Sequence, residues 1–203
     1  DIDLATNINP ELVKNCLKKN NINFFETGLI HGTITANIDK KNFEITSLRK
    51  DLSTDGRHAV VKFTDNWIED SNRRDFTFNA IYSDKEGNLF DPHNGLTDLK
   101  NGLVKFIGNP ETRIKEDYLR ILRYIRFFLN YSKVDHKPEV ISSLKKNING
   151  VIKLSKERLL DELKKLVMSK NFIKLQKDNI SKEIITTIFP QIINLNLFKN
   201  LNK

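Results

Sequence analysis

Residues 69–79 read Glu-Asp-Ser-Asn-Arg-Arg-Asp-Phe-Thr-Phe-Asn, and further along the chain comes Glu116-Asp-Tyr-Leu-Arg120. Arg73 and Arg74 offer two planar guanidiniums suited to phosphate, and Asp75 offers an acceptor for a sugar hydroxyl. The apolar-rich run Phe76-Thr-Phe78-Asn-Ala-Ile81 behind them would fix the cluster on a rigid element. The plain alternative is a charged helix end. Asp117 and Arg120 stand at i, i+3, so on one helix they would act as a pair, with Arg123 and Arg126 continuing that face. A carboxylate beside a guanidinium can hydrogen-bond the edge of a base as another base would. The competing reading is a surface ion pair of little energetic worth.

Towards the N-terminus the chain opens on Asp1-Ile-Asp3. Carboxylates at i and i+2 of a strand point the same way. Such like charges are costly unless a cation lies between them, so Asp1 and Asp3 are candidate ligands of a divalent metal. Glu44, between Phe43 and Ile45, is a third acid that a two-metal phosphoryl-transfer site can use, or an ordinary solvent-facing glutamate. The three clusters read together as metal, triphosphate and nucleobase.

The pattern around them predicts an α+β chain. Asp1–Ala5 reads as a strand, and Asn9-Pro10 caps a helix to about Lys19. Residues 32–38 and 43–48 alternate as a hairpin around 39–42. Residues 49–64, with Asp55-Gly56-Arg57, read as a mobile loop. A helix at 65–72, a hairpin around 85–87 and a strand at 102–107 follow. After Asn109-Pro110 the period becomes 3.6, with one stripe from Ile114 to Phe128 and further helices at 140–144, 159–167 and 184–193. The expected division is therefore a mixed-sheet domain over 1–108 and an all-helical one over 109–203.

The 203 residues carry a net charge of +8, distributed as −3 over residues 1–100 and +11 over 101–203. An acidic, metal-collecting half joined to a basic half suits catalysis at one end and a polyanion along the other. Lys-rich helices from a compositionally biased genome would give the same balance. A lone cysteine, Cys16, excludes an internal disulfide and a cysteine-based zinc site, and its place beside Leu12, Val13 and Leu17 predicts a core thiol. No apolar run approaches the ~18 residues of a membrane span, which suggests a soluble chain in a reducing, cytoplasmic compartment.

In order and spacing these motifs resemble the class II tRNA nucleotidyltransferase (CCA-adding) and bacterial poly(A) polymerase family, over residues 1 to about 170. Asp1–Thr6 is similar to the end of its metal-binding motif, and Gly28–Thr35 with Glu44–Arg49 to the following hairpin. Residues 51–63 resemble its flexible loop, Arg73–Asn79 its ribose and triphosphate motif, and 91–108 the link into the neck. Arg113–Phe127 resembles its base-templating helix, and Ser155–Leu166, with Glu157-Arg158 and Glu162, its neck helix. The family's Gly-Gly-x-x-Arg-Asp segment is missing ahead of Asp1, so the chain is expected to be an N-terminally truncated fragment, impaired alone.

The resemblance implies a polymerase β-like nucleotidyltransferase head followed by an all-helical neck and body. It implies that Asp1 and Asp3 bind Mg²⁺, and Glu44 stands beside them as a candidate catalytic acid. Arg73, Arg74, Asp75, Asn79, Asp117, Arg120, Arg123 and Arg126 would then bind the nucleotide. The implied activity is template-independent addition of CMP and AMP to the tRNA 3′ end from CTP and ATP. Poly(A) addition, a CC-only enzyme and a non-catalytic RNA-binding remnant stay open. His31-Gly32-Thr33-Ile34-Thr35 resembles the CCA branch, where poly(A) enzymes tend to be basic and aromatic.

Overall fold

The computed structural model describes residues 3–54 and 59–192. The chain divides into two compact units between Arg74 and Asp75, inside the Arg-Arg-Asp cluster itself.

The first unit is built on a four-stranded sheet. Strand β1 (Asp3–Thr6) leads into helix α1 (Pro10–Lys19), then β2 (Asn23–Gly28), β3 (Thr33–Ile38) and β4 (Lys41–Ser47), in spatial order β1-β4-β3-β2. β1 runs parallel to β4 and the other neighbours are antiparallel. The β3–β4 turn is carried by Asp39 and Lys40, both at positive φ (51° and 63°), the backbone that a two-residue hairpin requires. α1 begins where Asn9 Oδ1 accepts the Glu11 N–H at 2.9 Å with Pro10 in the first turn, and it ends on Lys18 and Lys19, which suit the helix dipole.

Alternation along β3 buries Ile34 and Ala36 against Val13 and Leu17 of α1. α1 therefore covers one sheet face, and the face bearing Thr33, Thr35 and Asn37 carries the polar set. Cys16 corrects its expectation. The buried α1 positions are Pro10, Val13 and Leu17, and Cys16 lies off that stripe and is exposed.

The expected loop at 49–64 is also corrected. Residues Arg49–Thr54 (β5) and Ala59–Phe63 (β6) pair as an antiparallel ribbon, and residues 55–58 lie outside those described. Helix α2 (Trp67–Asn72) follows, with Asn66 Oδ1 accepting the Ile68 and Glu69 N–H groups.

The second unit starts with a 3₁₀ turn at Thr77–Ala80, the hairpin β7 (Tyr82–Ser83) and β8 (Leu89–Phe90), and helix α3 (Gly95–Lys100). The strand expected at 102–107 reduces to one bridge, Phe76↔Phe106. Thr77 N–H and Ile107 N–H bond the Lys105 and Asp75 carbonyls on either side, but the chain then enters the 3₁₀ turn and the ladder cannot extend. From Pro110 the regular elements are helical: α4 (Pro110–Glu116), α5 (Leu119–Tyr131), α6 (Pro138–Asn147), α7 (Lys156–Val167) and α8 (Asn179–Ile188). The stripe from Ile114 to Phe128 is thus two helices, divided at Asp117 in extended backbone (φ −153°, ψ 106°). α8 opens earlier than expected because Asp178 Oδ1 caps the Ile180 and Ser181 N–H groups. The core gathers Phe76, Phe106, Ile121, Tyr124, Leu144 and Ile184.

Candidate active site

In the first unit the strand register puts Asp3 opposite Glu44, and Glu44 opposite Thr35. Paired residues of adjacent strands project from the same sheet face, so both carboxylates stand on the face that α1 leaves open, and both are exposed. Asp1 lies outside the described residues. Among the described residues no three His, Cys, Asp or Glu side chains form a metal-sized group. Asp3 and Glu44 are two oxygen donors on adjacent strands, a donor set of the kind hard divalent cations take.

Arg73 and Arg74 do not project independently. Asp70, completely buried on α2, binds Arg73 Nε at 2.9 Å through Oδ1 and Arg74 Nε and Nη2 at 3.2 Å through Oδ2. It also accepts the Arg49 backbone N–H at 3.1 Å. The spacing i, i+3 and i, i+4 on a helical turn is what lets one carboxylate reach both guanidiniums. Arg49 adds a third cation. Its guanidinium donates to the His31 carbonyl, and its Nε lies 3.7 Å from Asp51, an ion contact too long for a hydrogen bond. Burial, then the charge of Arg73, push the Arg49 pKa down. Three guanidiniums around two carboxylates leave a positive excess, which suits an anionic ligand.

In the second unit Asp75 is 9 % exposed and accepts from Arg123 Nε at 2.5 Å, Asn79 Nδ2 at 2.9 Å and the Phe76 N–H at 3.0 Å. Burial opposes its ionisation. The Arg123 charge and hydrogen bond, then Asn79 and Arg120, outweigh burial and hold the carboxyl below the usual range. The backbone beyond it is set by α3. Thr77 Oγ1 donates to Asp98 at 2.8 Å, and a Cβ on Gly95 would come within 2.2 Å of the Thr77 carbonyl oxygen, so only glycine fits there.

The expected Asp117–Arg120 pair is not formed. Asp117 ends α4 in extended backbone, accepts the Leu119 N–H at 3.1 Å and pairs with Arg158 of α7 at 2.7 Å. Arg120, the second residue of α5, binds Glu116 at 2.6 Å and the Arg113 carbonyl at 2.7 Å. The helix break replaces the i, i+3 geometry that the sequence suggested. Glu116 also holds Arg113 at 2.5 Å, and burial, then the Arg120 charge, lower the Arg113 pKa. Arg123 points to Asp75. Arg126 binds the buried Glu162 at 2.5 Å and lies over the Phe127 ring at 4.1 Å.

Asp3 and Glu44, and separately Arg73 and Arg74, are therefore brought together. Asp75, Asn79 and Arg123 form a third group, while Asp117, Arg120 and Arg126 each answer a different ion. The anchors Asp70, Arg49, Glu116 and Asp98 were missed as functional residues. Helical spacing ahead of Arg73-Arg74 was the available signal for Asp70, whereas the Arg49 and Asp98 contacts are non-local and leave none.

A family model described as "Poly A polymerase head domain" matches residues 1–105. The human mitochondrial CCA tRNA nucleotidyltransferase 1 is 45% identical over 174 residues, which is 83% of this chain and 39% of the relative. The CCA-adding enzyme of Ligilactobacillus salivarius is 37% identical over 175 residues, 84% of this chain and 42% of the relative. The chain thus spans about two-fifths of the length of these curated relatives. Among solved structures, the Bacillus stearothermophilus CCA-adding enzyme in complex with CTP superposes with a TM-score of 0.75 at 28% identity, covering 89% of this chain and 44% of that one. A tRNA nucleotidyltransferase complexed with a primer tRNA and an incoming ATP analog gives 0.68 at 26% identity, covering 92% and 53%.

Proposed function

Because the chain belongs to the poly(A) polymerase head-domain family, we propose that it is the catalytic and nucleotide-selecting part of an enzyme that adds CMP and AMP to the 3′ end of tRNA from CTP and ATP. The observation that carries this reading is the open sheet face with Asp3 and Glu44 in register, in a chain whose animal and bacterial relatives are named for CCA addition.

In this reading Asp1 and Asp3 hold a divalent cation, Mg²⁺, with Glu44 beside them. The chemistry supplied by Mg²⁺ bound there is neutralisation of the triphosphate and activation of the RNA 3′-hydroxyl. Arg73 and Arg74, aimed by Asp70, take the phosphates. Asp75, kept ionised by Arg123 and oriented by Asn79, accepts from the ribose hydroxyl. Asp117 and Arg120 present an acceptor and a donor to the base edge, with Arg126 supporting α5 through Glu162. The functional division at 108 and 109, between chemistry and nucleotide selection, belongs to the same proposal. The +11 charge of residues 101–203 carries the acceptor stem through phosphate contacts. No helix among the described residues is long and apolar enough to cross a membrane. The lone cysteine fits a reducing compartment, which the cytoplasm and the mitochondrial matrix both are; we assign the cytoplasm, the human relative is named mitochondrial, and cell fractionation separates the two.

The complete protein, given tRNA lacking its CCA end, should add only cytidines from CTP alone and finish with one adenosine when ATP is also present. A long A-tail from ATP alone would make it a poly(A) polymerase. No addition at all would make it a binding remnant.

Nucleotide choice tests the α4–α5 break. A good bidentate base contact is worth about 1–3 kcal/mol of discrimination, so Arg120→Ala should lose roughly ten- to hundredfold in preference for CTP and ATP over UTP and GTP. Asp117→Ala should behave alike, and the double variant should lose less than the sum, because both serve one base edge. If misincorporation is unchanged and only stability falls, Asp117 and Arg120 serve Arg158 and Glu116 and nothing more.

A further inference from the structure

A cavity of about 490 Å³ in the first unit is lined by Asn7, Asn9, Lys50, Lys62, Phe63 and Glu69, together with two neighbours on the 63–69 segment. Its frame is backbone. Leu48 N–H bonds the Thr6 carbonyl at 2.8 Å and Thr64 N–H bonds the Leu48 carbonyl at 3.0 Å, so the end of β1 and the end of β6 flank the same buried residue. Phe63 lies over Gly32, whose φ of +77° and lack of a Cβ, which would sit 2.5 Å from the ring, make room for it. The ring is half-buried and forms part of the cavity wall.

The polar lining has a distinct composition. Lys50 and Lys62 stand directly opposite each other across β5 and β6, an arrangement that costs stability unless something negative answers it. Glu69 answers Lys50 at 3.3 Å while accepting from Thr64 at 2.7 Å, and Lys62 remains exposed. Asn9 has its Oδ1 engaged on the Glu11 N–H, so what it can offer a ligand is its amide nitrogen. With Asp65, the lining holds two cations and two anions. That balance does not suit a triphosphate. An aromatic ring, two amides and one exposed ammonium suit a single nucleotide unit with one phosphodiester. Asn7 follows Asp3 by four residues of extended chain, at most about 13 Å. The cavity therefore begins within that distance of Asp3, and neither Asp3 nor Glu44 lines it.

We propose that this cavity seats one unpaired nucleotide of the RNA strand, upstream of the reacting 3′ end, with its base on Phe63, its edge at the amides of Asn7 and Asn9, and its phosphate at Lys62. The proposal rests on the reading of the chain as a tRNA-extending enzyme and adds an RNA subsite to it.

The test uses the complete protein and two labelled RNAs: tRNA that already ends in the two cytidines of its CCA end, and so has unpaired nucleotides upstream of the reacting 3′-hydroxyl, and a blunt acceptor-stem duplex with no unpaired 3′ nucleotide. Phe63→Leu keeps an apolar group over Gly32 but removes the stacking face, and Lys62→Glu reverses an exposed charge. Each should weaken binding of the tRNA by about tenfold, the scale of losing one stacked base or one phosphate contact. Binding of the blunt duplex, and of CTP by calorimetry, should stay within about twofold of wild type on the same scale. Unchanged tRNA affinity in both folded variants overturns the proposal, as does an equal loss on the blunt duplex or a parallel loss of CTP affinity. If instead the tRNA effects appear but wild-type protein adds neither C nor A to that tRNA, the subsite stands and the assigned reaction falls.

Discussion

Asp3→Asn in the complete protein should reduce nucleotide addition by on the order of a thousandfold while tRNA binding stays near wild type. Metal stabilisation of transition-state charge is worth several kcal/mol, and each 1.36 kcal/mol is about tenfold in rate. The substitution removes a charge from an exposed strand position whose neighbour in register is Glu44, so folding should be little affected. RNA affinity is assigned to the basic residues beyond 100 and to the subsite at Phe63 and Lys62, neither of which the change touches. Glu44→Gln separates the two readings of that residue. As a supporting ligand it should cost roughly ten- to hundredfold, and as a plain surface glutamate nothing measurable. Single-turnover incorporation from CTP in Mg²⁺, with binding measured in parallel, decides both. Near wild-type turnover by Asp3→Asn would remove the metal assignment.

What could be read from the chain and what could not follow a physical divide. Period-two alternation at 32–38 and 43–48 exposed the hairpin, and Asn9-Pro10 exposed the start of α1, because both signals are local. The Asp3↔Glu44 register is not local. β1 and β4 are separated in sequence by a helix and two strands, so the sequence could offer Glu44 but not choose between ligand and surface glutamate. The β5–β6 ribbon has the sequence of a loop because Arg49, Lys50 and Asp51 give it no apolar alternation and Asp55-Gly56-Arg57 interrupts it. The break at Asp117 was invisible for a different reason. Ile114, Ile121 and Ile125 all feed one core, so the stripe runs on across a point where Asp117 accepts the Leu119 N–H at the start of the next helix and Arg158 holds its carboxylate.

That same helical core makes the loss of Arg123 costly to stability. Breaking a buried ion pair from one side costs about 3–5 kcal/mol, because the other charge is left without its partner. The Asp75 side chain is 10% exposed and that of Arg123 29%, so Arg123→Met should sit at the lower end, about 3 kcal/mol at pH 7. The pH dependence separates this from lost packing. In the native protein the Asp75 pKa lies below its unfolded value of about 3.9, so its contribution is complete above that pH and disappears as pH falls through the lower folded pKa. Without Arg123, burial is the largest influence left and pushes the same carboxyl up. The sign then reverses: the folded state binds the proton more tightly than the unfolded one, and the variant regains stability as pH falls from neutrality towards about 4. The gap between wild type and Arg123→Met should therefore narrow steadily on acidification. Adding Asp75→Asn to Arg123→Met should recover part of the loss at pH 7 by removing the stranded charge. Denaturant unfolding followed by far-ultraviolet circular dichroism at several pH values measures all three proteins. A gap that stays constant with pH, with no recovery in the double variant, would show that Arg123 contributes through packing on Phe127 and that Asp75 does not depend on it for its charge.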